Sequence, residues 1–192
     1  MSTARAEVVA AGRVDVPTVE AMVGLGRVLA AALRPGDLLV LSGDLGAGKT
    51  TLTRGIGEGL GVRGAVTSPT FVIARVHPAP PGHPPLVHVD AYRLSSLAEL
   101  DDLDLDAAQE DSVTVVEWGT GLAEDLAEAR LELDLTRLKG TRGREPGSGA
   151  GEGRVVRWRA VGERWSGFAL HGSDTATGND KGAVAVAEPS AP

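Results

Sequence analysis

Glycines at 43 and 48, followed at once by Lys49 and Thr50, form a spacing suited to holding phosphate. The full run is Gly43, Asp44, Leu45, Gly46, Ala47, Gly48, Lys49, Thr50 and Thr51. A loop of this kind wraps backbone N–H groups around phosphate oxygens and aims the positive end of a helix at them. In that reading Lys49 reaches the β and γ phosphates of a nucleotide, and the Thr50 hydroxyl ligates a magnesium ion that bridges them. Of 19 Lys and Arg residues only Lys49, Lys139 and Lys181 are lysine, so a lysine here points to a need for a compact ammonium head. Its work is electrostatic, and its side chain is expected to face solvent. Two carboxylates complete the set. Asp90 and Glu117 each end a short apolar run, where phosphate-loop enzymes place residues that hold magnesium or position a water.

The elements that must position these groups can be read from periodicity. Residues 37–41, Asp37 followed by four branched apolar side chains, predict a buried parallel strand before the loop, and residues 50–60 read as the helix that must follow it. Upstream, residues 6–16 read as an edge strand. Apolar residues at threes and fours from Val19 to Leu33 then predict a helix that Pro35 and Gly36 stop. Residues 71–76 and 86–89 predict two strands joined by a proline-rich loop at 77–85, with His77 and His83 in solvent. His88 alternates with Asp90, so both face the same side; His88 is expected to be buried and hydrogen-bonded. Asp90 could instead cap the turn that follows. Thr67, Ser68, Pro69, Thr70 and Phe71 stand either as a loop that senses the γ-phosphate or as an ordinary turn. The acidic stretch 95–111 reads as a charged outer face and is given no chemistry. Val113 to Val116 form a second buried strand ending at Glu117, and Trp118 after it is either core filling or a ring beside the nucleotide. A late hairpin is predicted over 129–137 and 155–161, with a flexible loop at 139–153.

Composition bounds the rest. With 192 residues and 42% hydrophobic content, the chain supports one domain over 1–171, and the small polar residues of 172–192 read as a disordered tail. The chain contains no cysteine, which excludes disulfides and thiolate metal sites. No apolar run reaches membrane-spanning length, and the first five residues lack the hydrophobic centre of a signal peptide, so a cytoplasmic protein with no membrane partner is expected. A net charge of −7 and 3% aromatic content argue against independent binding to nucleic acid, which needs cations and stacking platforms.

Taken together, the loop at 43–51, then Ser68, Pro69, Thr70 and Phe71, then His88, Val89, Asp90, Ala91, Tyr92, Arg93 and Leu94, then Glu117 and Trp118, resemble the TsaE (YjeE) family of bacterial ATPases. The resemblance covers about residues 5–165. It implies a single-domain α/β fold of phosphate-loop NTPase type, with a mixed central sheet flanked by helices. It also implies binding and slow hydrolysis of ATP with Mg2+, in threonylcarbamoylation of the tRNA adenosine next to the anticodon. TsaB and TsaD would be the protein partners, with tRNA met only indirectly through them. By position, Thr50 and Glu117 match the family's metal ligands, residues 46–51 its nucleotide loop, and Asp90 and Trp118 functionally sensitive sites. The Ser68–Thr70 segment would then present a nucleotide-dependent surface to those partners. A small-molecule kinase and a nucleotide-gated binding module are the two other functions this loop could serve. A kinase needs a lid with clustered arginines, which the sequence does not supply between Asp90 and Glu117.

Overall fold

The structure is a computed structural model and describes residues 7–69, 71–94, 110–124, 126–138, 153–172 and 184–187. Strand β2 (Leu38–Ser42) is its axis. Four apolar side chains in succession leave this strand no solvent face, so it must lie between neighbours on both sides. It pairs in parallel with β5 (Val113–Glu117) on one edge and with β6 (Arg130–Arg137) on the other. Next to β5 lies β4 (Leu86–Asp90), also parallel, and β3 (Ala74–His77) closes that edge as an antiparallel hairpin arm. On the far side β7 (Arg154–Val161) returns antiparallel to β6, and β1 (Val8–Val16) pairs antiparallel with β7. The result is a seven-stranded mixed sheet, ordered β1-β7-β6-β2-β5-β4-β3.

Helices α1 (Val19–Ala32) and α2 (Lys49–Leu60) pack against each other on one face of this sheet. Thr18 caps α1 by accepting the Ala21 amide at 3.1 Å, and Met22, Leu25 and Leu29 form its buried stripe. Within α2 stand three glycines, each costing a helix about 1 kcal/mol relative to alanine. Close packing offsets that cost. A Cβ on Gly55 would strike the Val23 backbone, and one on Gly26 would lie 2.5 Å from the Leu52 carbonyl oxygen. The opposite face of the sheet carries a second apolar cluster built on Leu38, Val40, Val87, Val89 and Val116.

Four expectations differ from what is observed. The strand predicted at 71–76 begins only at Ala74, because the amides of Val72 and Ile73 both donate to the Pro69 carbonyl and Ile73 sits at φ 66°. Thr70, in the same segment, lies outside the described residues. His77 is not a solvent residue of the hairpin loop: it ends β3, buried, on the face it shares with His88, whereas His83 is exposed as expected. Val184–Ala187, inside the stretch read as a disordered tail, form β9, which pairs antiparallel with β8 (Ala169–Gly172). Its alternating valines and alanines make a short strand that the average composition of the tail hides. Lys49 is buried rather than solvent-facing, for reasons that belong to the site. Most of the acidic stretch (95–109) and of the loop at 139–153 (139–152) lies outside the described residues. Among those described, no helix is long and apolar enough to cross a membrane.

Candidate nucleotide site

The parallel strands deliver the site. In register, Leu41 of β2 stands beside Glu117 of β5, and Glu117 beside Asp90 of β4, so both carboxylates emerge at the strand ends where the loop leaves β2. Ligands of open α/β sheets bind at such carboxyl ends. The loop itself needs left-handed backbone: Gly48 precedes α2 at φ 111°, and Gly43, at φ 125°, lies so close to Leu135 that no Cβ fits. Asp44 and Leu45 are exposed at its crest, Leu45 by 87%, while Ala47 is buried beneath it and donates its amide to the Asp44 carbonyl at 3.1 Å.

Lys49 curls back over its own loop. Its Nζ donates to the carbonyls of Gly43 at 2.7 Å and Asp44 at 3.1 Å, and lies 3.5 Å from the centroid of the Trp118 ring. Two carbonyls and an aromatic face replace water around the ammonium, which is why the residue is buried. Burial holds its pKa below the usual lysine value, and the nearby carboxylates of Glu117, Asp90 and Asp44 oppose that shift. Trp118 itself adopts φ 62°, a costly backbone for a large residue, and stacks at a tilt against Tyr92 with centroids 5.1 Å apart. It therefore lines the site, and is not core filling.

The two carboxylates are held differently. Glu117, 3% exposed, accepts the Thr50 hydroxyl at 3.0 Å on Oε2 and meets His88 Nε2 at 2.8 Å through Oε1. Asp90 accepts the Ser68 hydroxyl at 3.0 Å on Oδ2 and the Tyr92 amide at 3.1 Å on Oδ1. Asp90 thus caps the turn after β4 and also lines the site. Gly46, Gly48, Thr51 and the residues just named, except His88, border one cavity of about 400 Å³. Every residue predicted for the site is in the loop or on this cavity wall.

Two wall residues were missed. Tyr92 lies inside the segment that carried the resemblance, and its aromatic ring two residues after Asp90 was a signal that could have been used. Arg154 had none. It opens β7, 104 positions after Thr50 (154 − 50), and reaches the loop only because β7 lies beside β6, next to β2; its Nε donates to the Ala47 carbonyl at 3.1 Å.

Comparison with known proteins places the chain in a family. The family model described as "Threonylcarbamoyl adenosine biosynthesis protein TsaE" matches residues 16–145. The chain belongs to the TsaE family. A Streptomyces coelicolor protein named tRNA threonylcarbamoyladenosine biosynthesis protein TsaE is 63% identical over 143 residues, covering 74% of this chain and 92% of that protein. A TsaE of the same name from Bacillus subtilis is 38% identical over 142 residues, covering 73% and 80%. Among solved structures, Bacillus subtilis YdiB superposes with a TM-score of 0.62 at 31% identity, covering 83% of this chain and 91% of that one. The matched TsaE region contains the loop, Asp90, Glu117 and Trp118, but ends before Arg154.

Proposed function

We propose that this TsaE-family chain is a magnesium-dependent ATPase serving tRNA threonylcarbamoyladenosine biosynthesis, acting with TsaB-like and TsaD-like proteins. The observation that carries the reading is the Thr50 hydroxyl set against the Glu117 carboxylate at 3.0 Å, at the head of a helix that begins with the loop lysine. The donor set fits the cation. Magnesium takes one or two carboxylate or hydroxyl oxygens from a protein and completes its shell with phosphates and water, and this pair offers that. The loop fits the phosphates, because its glycines leave room for backbone N–H groups to close around an anion. When bound, the metal would neutralise charge developing on the phosphate oxygens.

The chain's own residues do the rest. Lys49 exchanges the Gly43 and Asp44 carbonyls for phosphate oxygens, a trade of neutral acceptors for charged ones that favours the bound state. Glu117 and Thr50 hold the cation. Asp90, fixed by Ser68 and Tyr92, is the carboxylate left to orient a water. Trp118 and Tyr92 supply flat apolar faces on the cavity wall. The charge of −7 keeps tRNA a partner of the complex and not of this chain alone.

Turnover of ATP by Thr50→Ala and Glu117→Gln tests the assignment. Each is expected to fall by about 10²–10³ while binding of metal-free nucleotide changes little. If Glu117→Gln leaves turnover untouched, the metal role passes to Asp90.

A further inference from the structure

Glu117 is held from behind. His88, on β4, is fully buried, and its Nε2 lies 2.8 Å from Glu117 Oε1. A carboxylate oxygen can only accept, so Nε2 carries the proton of this bond. Thr53 lies on the same side, its hydroxyl 3.5 Å from Oε1 while donating to the Lys49 carbonyl at 3.0 Å. The other oxygen, Oε2, faces Thr50. The two carboxylate oxygens are thereby sorted, one towards the core and one towards the loop. Rotation of a glutamate carboxyl about its last bond is otherwise soft and roughly two-fold.

We propose that His88 is a positioning residue for the divalent cation, fixing Glu117 through Oε1 so that Oε2 and the Thr50 hydroxyl stay together as a ready pair of metal ligands. This rests on the nucleotide reading given above. It goes further by assigning work to a buried histidine that does not itself line the cavity. Partners of this kind, one shell behind a metal ligand, change metal affinity by about 10–100-fold when removed. A histidine that merely filled the core would affect stability and leave the metal alone.

Geometry supplies a discriminating pair of substitutions. In glutamine the amide nitrogen is as many bonds from Cβ as Nε2 is in histidine, so His88→Gln keeps a donor for Oε1. In asparagine it is one bond shorter and matches Nδ1, which has no hydrogen-bond partner among the described residues. The test uses the full chain with a fluorescent ATP analogue, titrated first in EDTA and then with Mg2+, and repeats the metal titration with Mn2+ read by electron spin resonance. Thermal melts accompany each variant. His88→Asn is expected to raise the half-saturating Mg2+ concentration by about 10–100-fold without changing nucleotide affinity in EDTA. His88→Gln should stay within a few-fold of wild type, and His88→Asn should add nothing in a Glu117→Gln background. Equal losses of metal affinity in the Gln and Asn variants, or additive losses in the double variant, would overturn the proposal. Should His88→Asn fail to fold, a folded His88→Gln that loses metal affinity overturns it as well. Unchanged nucleotide binding in EDTA by Lys49→Ala would instead mean that the nucleotide reading itself has failed.

Discussion

Lys49 and His77 show how far residue types alone carry an argument. The glycine spacing, the lysine and the hydroxyl at 43–51 were legible because phosphate chemistry admits few alternatives there, and Asp90 and Glu117 were legible as acidic ends of apolar runs. Burial was not. Whether a lysine faces water depends on carbonyls and a tryptophan brought to it by the fold, and Trp118 follows a strand more than sixty positions away. His77 sat in a segment whose prolines suggested solvent, yet β3 pairing turns its ring inward, 6.3 Å from the ring of His88. Burial, and then the neighbouring His88 and Arg75, push its pKa below the ordinary 6.5. The unfolded chain takes up this proton as pH falls through 6.5, while the folded protein resists until lower pH. Stability is therefore fully present above 6.5 and declines as pH falls from there towards the folded-state value. Replacing His77 by Gln should flatten that decline, a change readable as urea midpoints on either side of pH 6.5. An unchanged pH slope would show that His77 is not the group responsible.

Among the elements, the strand before the loop and helix α1 were the most readable, the one from its short continuous apolar run and the other from its 3.6-residue period. The ends of β3 were less so, because hydrogen bonds from Val72 and Ile73 to Pro69 compete with the ladder. The pairing of Val184–Ala187 with β8 depends on a partner strand that composition cannot reveal. The contact between α1 and α2 also had no sequence signature beyond an unusual number of glycines in a helix. Its role predicts a specific sensitivity. Gly55→Ala improves helix propensity by about 1 kcal/mol, yet its methyl group collides with the Val23 carbonyl, and overpacking of that kind costs about 1–3 kcal/mol. A net loss of stability is expected in chemical denaturation. A gain matching the propensity difference would mean that the two helices do not approach as closely as described.

Across the whole molecule, two residues of the cavity wall leave apolar surface in solvent: Leu45 is 87% and Tyr92 66% exposed. Phe71, three residues after Ser68 of that wall, is 88% exposed. Exposed apolar groups gathered at one place mark interaction surfaces. Ser68 and Asp90 are hydrogen-bonded to each other, and the Ile73 carbonyl accepts the Asp90 amide at 2.8 Å, so Ser68 and Ile73 are both tied to Asp90 of the candidate site. Purified TsaB–TsaD is accordingly expected to bind this chain with an affinity set by nucleotide, and to bind Phe71→Ser and Thr70→Ala more weakly. Binding that ignores both nucleotide and Phe71 would remove the coupling from the account. The exposure of Phe71 was not legible in the sequence, since it follows from the strand beginning late.

The proposed function depends on the loop at 43–51 binding ATP through Lys49. Calorimetric titration of ATP with magnesium into the wild type and into Lys49→Ala measures that directly, with melting curves confirming that both proteins are folded. A charge-assisted hydrogen bond contributes about 1.5–3 kcal/mol, so the account predicts one site per chain in the wild type and an affinity about 10–100-fold weaker in the variant. A folded Lys49→Ala protein that binds ATP with unchanged affinity and stoichiometry would contradict it.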